Sequence, residues 1–345
     1  MSVEKKPSLA GLGPEEIGES LKSYPAFRAL QIYKWICSGA ETWDEMSNLP
    51  VSMREELAGQ FAIFPGAVFS ELADTDGTVK LGISLEDGSL IEAVILKDAE
   101  GRKTACLSTQ AGCPMGCVFC KTGTFGLKRN LSAAEIASQY LRLKRKEGGI
   151  SHIVIMGMGE PLLNLEELKK ALAFFMDPSG LNISKRRITL STCGIENGIL
   201  DLAKNGPDIR LALSLTTARE ELRERLMPVT GQNPLPFVKK ALLRYQEKTK
   251  NRVTLEMVLL AGINTGLPDA EAAAAFARGL DTVVNLIPWN PVEGMEFEGR
   301  PLKRPAQSEI AAFSAALESR GLKVTQRFGK GLGISGACGQ LGSKT

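Results

Sequence analysis

The strongest constraint on the fold is an alternation of short apolar segments with longer amphipathic ones, which begins near residue 103. Strands are predicted at 150–156, 187–191, 209–215, 253–260, 283–287 and 323–327. Helices are predicted between them, at 133–146, 165–175, 235–248 and 307–319. This alternation is typical of parallel α/β sheets and barrels, and about six units are fewer than the eight of a closed barrel. We therefore predict an α/β core that forms a partial (β/α)6 barrel, with its chemistry at the carboxyl ends of the strands.

The N-terminal part of the chain has a different pattern. Residues 27–36 have the apolar spacing of one helix face, and a second helix is predicted to begin near Pro50. Residues 79–85 and 90–96 alternate as strands, and the Asp87-Gly88 pair between them indicates a hairpin turn. The sequence thus predicts a small, mostly helical accessory domain with a hairpin at 1–98, a core at 99–333 and a C-terminal segment at 334–345.

The composition predicts a globular protein of the cytoplasm. Hydrophobic residues make up 43% of the 345 and charged residues 23%, and no segment approaches the ~18 apolar residues of a membrane span. The N-terminus also has no apolar stretch like that of a secretory signal. The seven cysteines are therefore interpreted as metal or redox residues and not as disulfides. The single histidine, His152, argues against a Ser–His–Asp hydrolase or a His-rich zinc site.

Basic residues form two local clusters, although the formal net charge is only +3. The first cluster contains Arg142, Lys144, Arg145 and Lys146, and the second contains Lys185, Arg186 and Arg187. Such a cluster can bind phosphate groups, but it can equally form a solvated helix face or strand edge. Both interpretations remain open for each cluster.

The clearest chemical motif is a set of closely spaced cysteines, Cys113, Cys117 and Cys120, with the spacing Cys-x3-Cys-x2-Cys. One loop can wrap such thiolates around a single metal centre, and iron–sulfur clusters usually take four. Three local ligands would leave one iron of a [4Fe–4S] cluster open for catalysis. Zinc is the alternative, but it would need a fourth ligand and no histidine is near in sequence.

A glycine-rich turn follows the strand predicted at 150–156. Its residues Gly157, Gly159 and Glu160 could let the backbone approach a ligand and supply a carboxylate to it. A plain strand-to-helix turn would have the same composition. The position of this turn, one unit after the cysteine loop, favours the ligand-binding interpretation.

These motifs resemble the radical S-adenosylmethionine (SAM) superfamily, and Phe119 matches the aromatic residue before its last cysteine. More narrowly, the chain resembles the RlmN/Cfr family of RNA adenosine methylases and is closer to the RlmN branch. The matching segments are 106–113, 157–164, 184–192, 227–229, 285–291 and 337–341. The resemblance implies SAM bound at the open iron, which one electron cleaves to a 5′-deoxyadenosyl radical, with two SAM molecules per turnover.

The resemblance also implies three catalytic residues. The position that matches Cys338 carries a methyl group from one SAM, and its methylene radical adds to C2 of adenine. The position that matches Cys106 then attacks Cys338, forms a disulfide and releases the product. The position that matches Glu92 removes the C2 proton. The SAM contacts implied by the match are Gly159, Glu160, Ser191, Ser214, Leu215, Thr216 and Asn290.

The family implies an RNA substrate, 23S rRNA with tRNA as a second candidate, and a flavodoxin-like electron donor. Two departures leave the substrate and the ring position open. Thr216 replaces the usual histidine, and the acidic residues that usually precede Cys338 are absent from 329–336. A C8-methylating, Cfr-like enzyme and a non-catalytic Fe–S or zinc RNA-binding protein are the alternatives. The N-terminal helices resemble the family's RNA-contacting domain at Phe27, Arg28, Ala29 and Gln31.

Overall fold

The structure, a computed structural model, describes residues 6–327 and 329–342. Its strands are β1 (Ala67–Ala73), β2 (Val79–Ser84), β3 (Leu90–Lys97), β4 (Lys103–Cys106), β5 (Gln110–Gly112), β6 (Leu127–Asn130), β7 (Ile150–Ile155), β8 (Ile188–Thr192), β9 (Arg210–Ser214), β10 (Val253–Leu259), β11 (Thr282–Pro288), β12 (Glu296–Phe297), β13 (Arg300–Pro301) and β14 (Val324–Gln326). Its helices are α1 (Pro14–Ser20), α2 (Phe27–Ser38), α3 (Val51–Gln60), α4 (Ala133–Glu147), α5 (Leu165–Met176), α6 (Glu196–Asn205), α7 (Glu220–Leu226), α8 (Leu235–Thr249), α9 (Leu267–Ala277) and α10 (Gln307–Glu318).

The main sheet has ten strands in the order β1-β2-β3-β4-β7-β8-β9-β10-β11-β14. Strands β4, β7, β8, β9, β10, β11 and β14 are parallel, and each step between them crosses over through at least one helix. This confirms the predicted partial α/β barrel. The six predicted strands are all present, and their ends differ from the prediction by at most one residue. Buried apolar residues dominate β9, β10 and β11, whereas the edge strand β14 is only partly buried.

The predicted hairpin is present as β2 and β3, which pair antiparallel. Strand β1 pairs with β2, and β3 pairs antiparallel with β4, so the hairpin continues directly into the core sheet. The three N-terminal helices precede this meander. In the part of the chain that the structure describes, no helix is long and apolar enough to cross a bilayer.

The first basic cluster has a structural role. Arg142 is buried and donates from Nη2 to the Gly66 carbonyl at 2.7 Å, and Lys144 donates to the Cys37 carbonyl at 2.6 Å. Arg145 donates to the Gly39 carbonyl at 3.1 Å. These side chains lie on α4, whose first turn has a capping box between Ser132 and Glu135. Arg142, Lys144 and Arg145 thus connect α4 to the segments before the core, while Arg145 and Lys146 are also exposed to solvent.

The C-terminal segment, residues 329–342, folds back over the sheet. We call it the strap. The Gly331 and Gly333 amides donate to the carboxylates of Asp76 and Asp74, both at 2.9 Å. Further along, the Lys80 ammonium donates to the Ser335 carbonyl at 3.2 Å. The strap is therefore hydrogen-bonded to the β1–β2 region at residues that precede Cys338 in the chain. The family match assigns Cys338 as the methyl carrier.

Candidate active site

The carboxyl ends of the parallel strands surround one cavity. The predicted site residues on its wall are Cys113, Cys117, Cys120, Gly159, Glu160, Ser191, Ser214, Thr216, Asn290 and Cys338. Cys106 lines an adjoining second cavity, which also includes Cys338. Leu215 is fully buried and is not among the lining residues.

The cysteine loop is held in place by backbone hydrogen bonds. The Cys113 amide donates to Gly126 O at 2.8 Å, and the Trp289 indole donates to Phe119 O at 2.9 Å. Burial and the neighbouring thiolates raise the pKa of Cys113 to about 12 and that of Cys120 to about 11. Metal ligation must therefore displace protons from these thiols, since only thiolates ligate iron.

The three thiols fit a multi-iron cluster. In the described residues, no three His, Cys, Asp or Glu side chains converge on a point that could hold one metal ion. A cluster does not need such convergence, because each thiolate binds a different iron. Three thiols at the wall of one cavity, those of the buried Cys113 and Cys117 and the half-buried Cys120, are therefore suited to hold a [4Fe–4S] cluster and to leave one iron open to it.

Gly112 sets the direction of the cysteine loop, and its substitution is expected to damage the metal site. Its φ is +79°, and a Cβ there would lie 2.0 Å from Gly126 O. Gly112→Ala should therefore destabilise the protein by about 2–4 kcal/mol and lower the iron bound after anaerobic reconstitution. Gly101→Ala is the matched control, because its φ is +81° and an added Cβ meets nothing within 4 Å. Equal iron contents and melting temperatures for the two variants would contradict this account.

Glu160 lies at the wall but is already bonded to the protein. Its carboxylate accepts from the Leu162 amide at 3.0 Å, the Thr192 hydroxyl at 2.8 Å and the Cys193 amide at 2.7 Å. Burial raises the pKa of this carboxyl group above its usual value. A carboxylate has four acceptor positions, so these three bonds leave capacity for one further donor. The structure therefore gives Glu160 a role in fixing the β7 and β8 ends, and its role in ligand binding stays a prediction.

The sequence analysis did not predict Glu256, a carboxylate that also lines the first cavity. Glu256 is buried on β10, where it accepts from Ser191 Oγ at 2.8 Å, and its Oε1 lies 3.6 Å from Arg327 Nη1. Its Oε1 and the Thr216 hydroxyl are buried without a hydrogen-bond partner in the described residues. Unpaired buried polar atoms on a cavity wall are suited to a polar ligand. A lone carboxylate inside an apolar strand was the sequence signal that could have identified Glu256.

Thr216 has an unusual backbone conformation for its residue type. Its φ is +59°, which is strained for a β-branched side chain. Its amide and that of Leu215 both donate to the Glu256 carbonyl, at 3.0 and 2.8 Å. Thr216, which stands where the family usually has histidine, therefore lies on the cavity wall. Its backbone conformation is imposed by tertiary contacts.

Cys338 lies where the two cavities meet, and is exposed to them. Its carbonyl accepts from the Asn290 side chain at 3.0 Å, which fixes this part of the strap. Burial raises the pKa of the Cys106 thiol well above its usual value, and negative charge on the nearby Cys338 raises it further. The structure thus brings together the two cysteines that the family match pairs.

Glu92 occupies a different environment from the one its predicted role requires. It is buried on β3, in an ion pair with Lys80 at 2.9 Å, and it accepts from the Gly342 amide at 2.7 Å. It is not among the residues that line either cavity. In this conformation Glu92 binds the end of the strap.

The second cavity is basic. Its lining cations are Lys97, Arg102, Arg187, Arg210, Arg327 and Lys330. Burial, and then the charges of Arg102, Arg187 and Arg210, lower the pKa of His152. Arg187 from the second basic cluster therefore faces a concave surface beside Cys106 and Cys338, which the sequence alone did not decide.

This partial barrel, with three cavity thiols at the start of its core, defines a radical SAM enzyme. Residues 107–270 match the model of the radical SAM superfamily. A radical SAM methyltransferase from Sphaerobacter thermophilus has a similar solved structure, with a TM-score of 0.92 and 37% identity over 97% of this chain and 99% of that one.

Curated relatives narrow the class. Probable dual-specificity RNA methyltransferases RlmN from Treponema denticola and Thermus thermophilus are 49% and 40% identical to this chain. The matches cover 99% and 98% of this chain, and 98% and 94% of the relatives. The chain therefore belongs to the RlmN family of radical SAM methyltransferases. Its cofactors are a [4Fe–4S] cluster and SAM, two SAM per turnover, and the alternative of a non-catalytic binding protein is wrong.

Proposed function

We propose that this enzyme methylates C2 of adenosine in 23S rRNA, and also in tRNA, through a methyl group carried on Cys338. The observation that supports this most directly is the position of Cys338 between two cavities. One cavity contains the three cluster thiols, and the other contains Cys106 and the basic residues. A carrier must reach both the methyl donor and the nucleic acid, and this position meets that requirement.

Each cysteine has a distinct role in the proposed reaction. Bound at the cluster, SAM supplies a methyl group and, from a second molecule, a radical that removes a hydrogen atom. Cys338 takes the methyl group on sulfur and loses its thiol proton. After the hydrogen atom is removed, the methylene radical bonds to C2. The C2 proton then passes to a base, and one electron passes to an oxidised acceptor, a role that the oxidised [4Fe–4S] cluster would fill. Cys106 thiolate then attacks Cys338 sulfur, the S–CH₂ bond breaks, a disulfide forms, and the carbon takes a proton to become the methyl group.

Glu92 can act as the base for the C2 proton only after the strap moves. Its carboxylate is now bonded to Lys80 and to the Gly342 amide. Displacement of residues 339–342 would remove the amide donor and open this carboxylate towards the cavities. A flavodoxin-like protein is proposed as the electron donor, and an external dithiol must reduce the Cys106–Cys338 disulfide after each turnover.

The second cavity and the N-terminal helices are proposed to hold RNA. Neither Arg187 nor Arg210 has a carboxylate within 4 Å among the described residues, so both guanidinium groups can bind phosphates. On α2, Phe27 is 56% exposed, and its ring lies 4.8 Å from the Arg28 guanidinium. An exposed aromatic ring beside a cation is suited to stack on an unpaired base.

Removing the two guanidinium groups is expected to weaken RNA binding. Arg187→Ala/Arg210→Ala should lower affinity for an adenosine-containing RNA hairpin by roughly tenfold and reduce the salt slope by about one to two. Fluorescence anisotropy at several salt concentrations measures both. Arg244→Ala/Lys248→Ala, on the exposed side of α8, removes the same charge away from the cavity and should change neither. Equal losses in both double variants would show only a net-charge effect.

The site and position of methylation are tested by direct product analysis. The reconstituted enzyme is incubated anaerobically with a reductant, SAM and either 23S rRNA fragments or tRNA, and the nucleosides are identified by mass spectrometry. We expect 2-methyladenosine. Detection of 8-methyladenosine instead would support the Cfr-like alternative, and methylation of neither RNA would contradict the proposed substrates.

A further inference from the structure

A fourth cysteine lies beside the three cluster thiols. Cys193 directly follows β8 and lines the same cavity as Cys113, Cys117 and Cys120. Its thiol lies close enough to that of Cys117 for the two to interact, and this interaction raises the pKa of Cys193. It belongs to none of the roles described above, and it comes from a different element than the cysteine loop.

The backbone of Cys193 is held on both sides. Its amide donates to Glu160 Oε2 at 2.7 Å, and its carbonyl accepts from Arg223 Nη2 at 2.7 Å. Both partners are buried, at 2% and 0% exposure. The side chain of Cys193 is therefore kept at the cavity wall, next to the cysteine loop.

Arg223 provides a second observation that points to an anion here. Its guanidinium donates to the carbonyls of Leu215 at 3.1 Å and Ser214 at 3.2 Å, besides that of Cys193. In the described part of the chain, no carboxylate lies within 4 Å of it. Burial lowers the pKa of Arg223, and negative charge on Cys193, Cys117 and Glu220 acts in the opposite direction, because a buried cation is stabilised by a nearby anion. Arg223 therefore fixes the Cys193 carbonyl next to the end of β9, and a thiolate at Cys193 or Cys117 would lie near its positive charge.

We propose that the Cys193 thiolate is a fourth protein ligand of the [4Fe–4S] cluster, bound to the iron that Cys113, Cys117 and Cys120 leave open while SAM is absent. SAM binding displaces it. The exchange breaks one Fe–S(thiolate) bond and forms bonds from SAM to the same iron, with no change in the electron count. The Cys193 thiol releases a proton to solvent when it binds and regains one when displaced. The inference concerns the cluster and SAM and is independent of which RNA is methylated.

Fourth-site ligation has two measurable consequences. An iron held by thiolate resists oxidative loss, so the SAM-free wild-type cluster should keep four irons. SAM must compete with the thiolate, so removing Cys193 should tighten SAM binding several-fold, since a competing ligand lowers apparent affinity by mass action.

The test compares wild type, Cys193→Ala and the control Cys37→Ala, a buried cysteine on α2. Each is reconstituted anaerobically and titrated with ferricyanide, and the [3Fe–4S] product is quantified by EPR with and without SAM. We expect most of the Cys193→Ala cluster to lose its fourth iron at oxidant levels that leave wild type and Cys37→Ala intact, and SAM to protect the variant. Equal loss and equal SAM affinity in all three proteins would overturn the proposal and leave Cys193 as a hydrogen-bonding residue only.

If Cys193→Ala does not assemble a cluster, the proposal is tested by a measurement on the wild-type protein. Mössbauer spectra of wild type loaded with ⁵⁷Fe should show four thiolate-like irons without SAM and one distinct iron after SAM is added. A distinct iron already present without SAM would overturn the proposal. Neither readout requires RNA, so loss of the proposed methylation activity would be recognised separately.

Discussion

Cys338→Ala is expected to lower RNA methylation by at least about a thousandfold, because alanine has no sulfur to carry the methyl group. The cluster should remain, since Cys338 is not one of its proposed ligands. The strap should also remain in place, because Asn290 holds residue 338 through its backbone carbonyl and not through the thiol. Methyl transfer to RNA, iron content and SAM binding are measured on the same reconstituted sample.

A variant in the same segment separates loss of the carrier from disturbance of the strap. Ser335 is exposed, and its carbonyl, not its hydroxyl, binds Lys80. Ser335→Ala should therefore retain methylation within about twofold, as expected for an exposed substitution away from the chemistry. Methylation that survives in Cys338→Ala would remove Cys338 from the mechanism and leave the superfamily assignment intact.

Arg223→Met is expected to cause the largest loss of stability among the substitutions discussed. The guanidinium is fully buried and donates to three backbone carbonyls and to the Thr230 hydroxyl. Methionine fills similar space but leaves these acceptors without a donor, and each unsatisfied buried group costs about 1–3 kcal/mol. We expect a loss of at least about 3 kcal/mol in the free energy of unfolding, measured by urea denaturation of the cluster-free protein.

Arg225→Met is the matched control for this effect. Arg225 lies two residues further along α7 and forms an exposed ion pair with Glu298. Its removal should change stability by no more than about 1 kcal/mol, because exposed ion pairs contribute little. Arg223→Lys should fall between the two, because an ammonium keeps the charge but lacks the planar set of donors. Equal losses for Arg223→Met and Arg225→Met would show that burial of Arg223 has no energetic consequence.

Local sequence was sufficient to predict the structure wherever all the interacting residues lie in one short segment. Six of the seven parallel strands were predicted to within one residue, because an apolar run bounded by polar residues has few other stable solutions, whereas the short strand β4 was not predicted. The capping box of α4 was recognisable because both of its partners lie within four residues. The cysteine loop was recognisable for the same reason, since its three thiols are close in sequence.

Residues whose surroundings come from distant segments were harder to interpret. The two basic clusters look alike in sequence, yet Lys144 binds a carbonyl of α2 while Arg187 faces the second cavity. Glu92 matches the position of a catalytic base, but Lys80 and the Gly342 amide occupy its carboxylate in this conformation. Arg223 gave no signal at all, because its helix is charged throughout and only packing buries it.

The sequence by itself determined the alternation of strands and helices, the three-thiol loop and the resemblance to a radical SAM methylase, because each depends on residue type and short spacing. Only the tertiary structure decided which side chains share a cavity. It placed Cys338 between two cavities, set Cys193 beside Cys117 and buried Arg223 with no carboxylate within 4 Å in the described part of the chain. These relations arise where strand ends from distant parts of the chain meet, and the burial and electrostatic environment of a group depend on all the segments around it.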